Sequence, residues 1–439
     1  MFADAQTLRD LELFRSRDDG PSLFDAVNRT RTALGDQRLR DWFSHPDPDP
    51  AALRVRIEAV AFLAEAGLDW SLDRYLAQDV EDYLGSRYAT LASGSGVTAA
   101  AEAAWIALRY RHMVLHAQNG VRAARRLAEE VGAVAARLRS QSPPGSLQEL
   151  AGDLVALADT LTAAAGSGRH ALDDLRADRR LRVERRRELQ RFLGRVGELD
   201  ALFSGAALLA EGYVLPRIKS SGGVLFEGDG IWHPFLPDAV RNPVTLRGGE
   251  TLVFLTGPNM AGKSTYLRAV GTCIYLAHCG YPVPAARLAI SPVRALFTSI
   301  SPEDHLRSGL SFFMAEVKRV REVLEFVAGG GRSIAIFDEV FRGTNVHDAM
   351  EASREVIRGC ARARTSGFLF SSHLVELAED LAPEPSVRFF CFDADLRGET
   401  TMFDYSLRDG VSDRRFGMEL LRREGVPELL ARIPAMEAS

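Results

Sequence analysis

Lysine is nearly absent from this chain. Of its 54 lysines and arginines only Lys219, Lys263 and Lys318 are lysine. Cysteine is sparse too. Cys273, Cys279, Cys360 and Cys391 form no CxxC pair, which argues against a disulfide framework or a thiolate zinc site and points to reduced thiols. No run of about 18 apolar residues occurs, so no membrane span is expected. The opening MFADAQTLRDLELF is charged within its first four residues and lacks the apolar core of a signal peptide. Together these absences point to the cytoplasm. Positive charge is not in excess either: the net charge is −5. No global field attracts nucleic acid or an anionic membrane, and any DNA contact must come from a local patch. What is present is a globular composition, 46% hydrophobic and 26% charged, over 439 residues. That length predicts two or three domains.

Residues 1 to about 210 read as helical, with Pro and Gly gathered in loops such as HPDPDP (45–50) and SPPGS (142–146). Leu147, Leu150, Leu154, Leu157 and Leu161 then recur at a 3,4,3,4 spacing. This is the seam of a coiled-coil-like helix, expected to pack on a neighbour in the same chain. DLRADRRLRVERRRELQRFLGR (174–195) carries nine arginines against four acids. Because the acids are interleaved, it reads as the solvated face of one long helix laced with i,i+3 and i,i+4 pairs. A phosphate-contacting stripe is the competing reading.

The texture changes between 210 and 225. Gly and Pro rise, and β-rich runs appear: TLVFLT (251–256), RSIAIFD (332–338), SGFLFSS (366–372), VRFFCFD (387–393) and TTMFDYS (400–406). Helical patterns separate the first three, which predicts a parallel α/β sheet. The last two, joined by ADLRGE, read as a hairpin on its edge. The expected division is a helical domain at 1–215 and an α/β domain at 216–439.

Lys263 sits in Gly257-Pro258-Asn259-Met260-Ala261-Gly262-Lys263-Ser264-Thr265. This fits G-x-x-x-x-G-K-[ST] after an apolar run and before a helix, the context the motif requires. Exposed loop N–H groups and a helix N-terminus make an anion site. A slim ammonium suits such a cradle better than a planar guanidinium, which explains a lysine in an arginine-rich chain. Ser264 would take one position on Mg²⁺. Asp338 and Glu339 end the apolar run IAIF, where ligands bind in parallel sheets. Asp338 would belong to the metal shell, and Glu339 would polarise water. His373 in Ser371-Ser372-His373 could reach the γ-phosphate or that water. Small residues in LRSGLSFFM (306–314) would present a hydroxyl and N–H groups to phosphate, either in this chain's site or in a partner's.

Taken together, these motifs resemble the MutS family within the ABC-type ATPases. GPNMAGKSTYLR is similar to the family's phosphate loop, with Ala261 in place of a glycine. SGLSFFMAEV (308–317) resembles its trans-acting signature, FDEVFRGTNVHDA (337–349) its acidic strand and interface segment, and SSHLVEL (371–377) its histidine switch. GYPVPA (280–285), WHPFL with RNPVTL (232–246) and YSLRDGVSDRRFGMELLRREGVP (405–427) also look like MutS. In the helical half, LFDAVNRTRTALGDQRLRDWFSHP (23–46) and VGELDALF (196–203) are similar to the start and the return of the family's core.

The resemblance implies a P-loop ABC-type ATPase domain preceded by a helical core and lever domain. It implies ATP and Mg²⁺ as cofactors and a homodimer with composite sites. Ser311 of one subunit would complete the site formed by Lys263, Ser264, Asp338, Glu339 and His373 of the other. It places Phe235, with Asn242, near the adenine. A mismatch-recognition domain is not expected, since Phe337-Asp338-Glu339 is the single F-x-E and is already assigned. The expected function is a MutS-like ATPase coupling nucleotide state to non-sequence-specific binding of duplex or branched DNA. The alternative is an ATP-switched dimer whose levers engage a protein. A chromosome-maintenance or break-repair ATPase is disfavoured because no long coiled coil separates Lys263 from Asp338.

Overall fold

The computed structural model describes residues 1–16, 20–166, 170–236, 238–300, 312–397, 400–412, 421–422 and 425–432. The chain opens with β1 (Phe2–Ala3) and α1 (Ala5–Asp10), and then runs through helices. These are α2 (Leu23–Val27), α3 (Ala33–Ser44), α4 (Pro50–Glu65), α5 (Arg74–Gly85), α6 (Gly96–Arg109), α7 (Arg111–Ser140), α8 (Gly145–Ala165), α9 (Ala171–Arg179) and α10 (Arg186–Ala210). Side chains set their starts. Ser22 and Asp25 form a reciprocal capping box on α2, and Thr32 caps α3.

The leucine seam lies on α8, and all five leucines are buried. They join Leu127, Val131 and Leu138 of α7 in one apolar cluster, so the seam is satisfied within the chain. The arginine-rich stretch departs from the expected single helix. After α9 the backbone widens into a π turn, Arg180–Glu184, before α10 begins. The turn brings Arg182 inward, where it makes two bonds to Asp178 (2.7 and 2.8 Å) and reaches the Ser86 and Tyr88 carbonyls. A regular helix would carry that side chain elsewhere. Of the nine arginines, Arg179, Arg182, Arg185, Arg191 and Arg195 pair with acids of this chain.

The helical part is knotted at Asp200 of α10. Its carboxylate accepts from the Arg31 and Thr32 amides, the Thr32 hydroxyl and the Trp70 indole. α3 comes so near that a Cβ at Gly35 would lie 2.1 Å from an Asp200 oxygen.

The second part holds two sheets built from β2 (Arg217–Ile218), β3 (Phe226–Ile231), β4 (Asn242–Leu246), β5 (Leu252–Thr256), β6 (Arg287–Ile290), β7 (Ala295–Ser299), β8 (Ser333–Asp338), β9 (Gly367–Ser371), β10 (Val387–Arg397) and β11 (Thr400–Asp409). Its helices are α11 (Lys263–His278), α12 (Phe312–Ala328), α13 (Val346–Ala361), α14 (Glu376–Leu381) and α15 (Val426–Ala431). The larger sheet runs β1-β7-β8-β9-β5-β10-β11. It is parallel except for β11, which pairs antiparallel with β10 as an edge hairpin. The smaller runs β2-β6-β3-β4. β5, β7, β8 and β9 are buried along their whole length, as a parallel sheet covered on both faces requires. α11 packs in the core on one face, and α12, α13 and α14 pack on the other.

The first residues belong to this sheet. β1 pairs with β7, while Asp10 accepts from the Thr298 hydroxyl and the Ile300 amide. The two halves also meet through α11 and the loop after it. Tyr275 donates to the Phe43 carbonyl at 2.6 Å, and the Tyr281 and Ser204 hydroxyls bond at 2.6 Å.

Candidate functional site

β5 ends at Thr256 and α11 begins at Lys263, so the intervening loop sits at the C-terminal end of a central strand. Gly257 has φ +136, and a Cβ there would lie 2.5 Å from the Phe392 carbonyl; only glycine fits. Met260, at φ +69, projects into solvent. Gly262, at φ +99, is the residue from which α11 starts. Ala261 is buried and is not among the left-handed residues, so an alanine here carries no backbone strain. The Lys263 ammonium donates to the Gly257 (2.7 Å) and Pro258 (3.0 Å) carbonyls and lies 3.7 Å from Glu339. Burial lowers its pKa, opposed by Glu339 and Asp338.

β8 and β9 bring the acids to the same edge. The Ser264 hydroxyl donates to one Asp338 oxygen at 2.5 Å, and the Ser371 hydroxyl donates to the other. Glu339 follows in the left-handed region, at φ +51. Its amide bonds the Ser371 carbonyl at 3.0 Å. Three cations ring its carboxylate: Arg342 at 3.2 Å, Lys263 at 3.7 Å and His373 at 3.7 Å, the last only when protonated. The His373 contact is the largest influence holding this carboxyl at about 2, with Arg342 and Lys263 adding to it against the cost of burial. Glu339 is therefore an anion at neutral pH. His373 itself is more than half exposed.

Lys263, Ser264 and Glu339 line a cavity of about 770 Å³, while Asp338 and His373 are not among its lining residues. One wall is the loop with Ser264 and Thr265, and another carries Glu339 and Arg342. The far wall is apolar and aromatic: Trp232, His233, Leu236, Val240 and Tyr405. Burial, together with the charge of Arg268, draws the His233 pKa down to about 4, so this imidazole is neutral. At this strand edge the Ser264 hydroxyl and the Asp338 carboxylate offer oxygen ligands, and no cluster of three or more His, Cys, Asp or Glu capable of holding a metal occurs among the described residues. A hydroxyl beside one carboxylate fits Mg²⁺, which keeps several waters and takes few protein ligands. It does not fit a tetrahedral zinc site.

The structure brings Gly257 through Thr265, Asp338, Glu339 and His373 to this one edge. Phe235 is half-buried against the core with its ring edge-on at 5.0 Å to His233, a lining residue, and is not itself among the lining residues. Asn242 lines the cavity while its side chain bonds the Tyr405 carbonyl (2.9 Å) and the Leu407 amide (2.8 Å). Ser311 and the start of its signature segment, 308–311, lie outside the described residues, as do 413–420 of the C-terminal motif. Sequence reasoning missed Tyr405 and Arg342. Tyr405 is reached only because the edge hairpin returns over the loop, where its ring is 3.2 Å from a Cβ built at Gly262. Arg342 stands three residues after Glu339 and donates to the Glu339 carbonyl at 2.9 Å.

A family model described as MutS domain III matches residues 6–211, and one described as MutS domain V matches residues 253–436. The DNA mismatch repair protein MutS of Natronomonas pharaonis is 35% identical over 241 residues, which is 53% of this chain and 27% of that protein. The aligned region thus spans little more than a quarter of the relative's length.

Proposed function

This chain belongs to the MutS family, and from that premise we propose that it is a Mg²⁺-dependent ATPase working as a homodimer, in which nucleotide state sets the binding of DNA by the helical half. Members of the family are ATPases. The observation that carries the reading is the meeting of Lys263, Ser264, Asp338 and Glu339 at one strand edge, beside a cavity with an aromatic wall.

Each residue has a task that its position supports. The loop amides and Lys263 receive the β- and γ-phosphates. Ser264 and Asp338 hold Mg²⁺, which would offset phosphate charge as it shifts in transfer. Glu339, an anion at neutral pH, orients and polarises the attacking water, and His373 steadies that carboxylate. Tyr405 offers its face to the base, and Leu236 and Val240 close the pocket round it. Ser311 of a second copy would cap the γ-phosphate, so that ATP binds the closed dimer better than the open one. α11 then supplies the link to DNA. Its N-terminus is in the site, and Tyr275 near its C-terminus bonds the helical half.

The test is ATP hydrolysis by the purified protein with Mg²⁺, beside Lys263→Ala. Turnover that is lost in the variant supports the site, and equal rates in the two proteins overturn it.

A second reading keeps the ATPase and replaces DNA by a protein partner. Two observations favour it. Five arginines of the 174–195 stretch are occupied by acids of this chain. Helix α6 exposes Val97, Trp105 and Leu108. Salt dependence separates the readings: phosphate contacts make log affinity fall steeply with log salt, and an apolar protein contact does not.

A further inference from the structure

Four rings of the helical half have no part in the site described above and form a continuous run. Trp105 of α6 lies 5.2 Å from Tyr110 between ring centroids, Tyr110 lies 6.1 Å from His112 of α7, and His112 lies 5.7 Å from Tyr88. Tyr110 stands at the break between α6 and α7, where the backbone leaves helical angles (φ −132, ψ 59). It packs against a small core that holds Leu91, Ile106 and Val114. Rings that only closed this core would be buried with it. Trp105 is instead 58% exposed and Tyr88 46%, and His112 is exposed as well. The charge of the stretch runs against that of the whole chain. Between Tyr83 and Gln118 there are three arginines, Arg87, Arg109 and Arg111, and one acid, Glu102, in a chain of net charge −5. All three arginines are exposed, and none pairs with an acid among the described residues. Glu102 accepts from the Ala92 amide at 3.0 and 3.1 Å, and Asp174 of the neighbouring α9 accepts from the Gln118 side chain at 2.8 Å.

We propose that this face binds single-stranded nucleic acid: Tyr88, Trp105, Tyr110 and His112 stack unpaired bases, and Arg87, Arg109 and Arg111 hold the strand's phosphates. The inference rests on the DNA reading of the helical half and deepens it, since it names unstacked bases as the chemistry recognised. Every base has a π face and every nucleotide a phosphate, so rings beside unpaired cations grip a strand of any sequence. In a closed duplex the bases stack on one another, and the rings would meet only backbone. Trp105 also belongs with Val97 and Leu108, the exposed apolar residues of α6 that a protein partner would use. An apolar protein contact has no need of three unpaired cations, and the charge decides for nucleic acid.

The experiment follows, by fluorescence anisotropy, the binding of a labelled oligothymidylate, the same strand made abasic, and a blunt duplex of equal length. The proteins are the full wild-type chain, Trp105→Ala, Tyr88→Ala and the triple variant Arg87→Ala/Arg109→Ala/Arg111→Ala, each checked by thermal unfolding. Wild type is expected to hold oligothymidylate at least about tenfold more tightly than the abasic strand. Each ring variant is expected to lose about tenfold for oligothymidylate while binding the duplex within about twofold of wild type. Three phosphate contacts on a single strand give a slope of about −2 in log affinity against log salt, which the arginine variant should flatten. Ring variants that bind oligothymidylate as wild type does, or an abasic strand held by wild type as tightly as the intact one, overturn the proposal. Equal loss for strand and duplex overturns it too. The abasic comparison needs no variant, so a misfolded variant cannot leave the question open. A wild type that binds duplex and not the single strand overturns the proposal and leaves the DNA reading intact. A wild type that binds no nucleic acid removes both and gives this face to a protein.

Discussion

Lys263 and Glu339 carry the account at the scale of single residues. Lys263→Ala removes the ammonium from the loop, and Lys263→Arg keeps the charge in a planar group that the carbonyls of Gly257 and Pro258 leave little room to hold. Both variants are expected to hydrolyse ATP at least about a hundredfold more slowly than wild type in a phosphate-release assay. Glu339→Ala is expected to retain nucleotide, since Lys263 and the loop remain, and to turn over slowly, accumulating the ATP-bound form; filter binding with labelled ATP checks this. The same carboxylate makes a prediction about acid. Its value is held at about 2 against an ordinary 4.5 by His373, Arg342 and Lys263. A depressed carboxyl contributes stability that is present above its unfolded value and is lost as pH falls through its folded one. Wild type should therefore lose more stability between about pH 5 and about pH 2 than Glu339→Gln does, as read from denaturant midpoints across that range.

Elements explain why these residues meet. The covered parallel strands β5, β8 and β9 deliver Lys263's loop, Asp338 and His373's loop to one edge, and this much could be read from apolar runs ending in a phosphate-loop motif or in acids. The π turn between α9 and α10 could not be read. Arg182 is one arginine among nine in sequence, and only Asp178, Ser86 and Tyr88, two of them remote along the chain, decide that it turns inward. Tyr405 was hidden for a similar reason. It stands on an edge strand, and its place over Gly262 depends on how β11 folds back along β10. Phe235, an aromatic near the right motif, packs against the core, while its neighbours Leu236 and His233 line the cavity. Packing makes its own prediction. Leu154 is fully buried between α8 and its neighbours. Leu154→Ala should lower unfolding free energy by about 2–5 kcal/mol in chemical denaturation without changing ATP affinity.

Across the whole molecule, the account depends on α11 as a strut. The helix has 16 residues, with Lys263 at one end and the contacts of Tyr275 to Phe43 near the other. That spans about 24 Å at the usual rise. A change in the nucleotide site that moves α11 must move α3 with it, and through Asp200 it reaches α10. No helix of the described residues is long and apolar enough to cross a membrane. If the partner is DNA, the affinity of the ATP-bound protein should fall linearly in log–log form as salt rises, by about one order for each phosphate pair lost per decade of salt.

The most direct test of the central claim is steady-state ATP hydrolysis with Mg²⁺ by the wild-type protein and by Glu339→Ala, with bound nucleotide and oligomeric state measured in the same samples. The account predicts turnover in wild type, and in Glu339→Ala a slow enzyme that holds ATP and collects as a dimer. Equal turnover in both proteins, or a wild type that neither binds nor hydrolyses ATP, would contradict it.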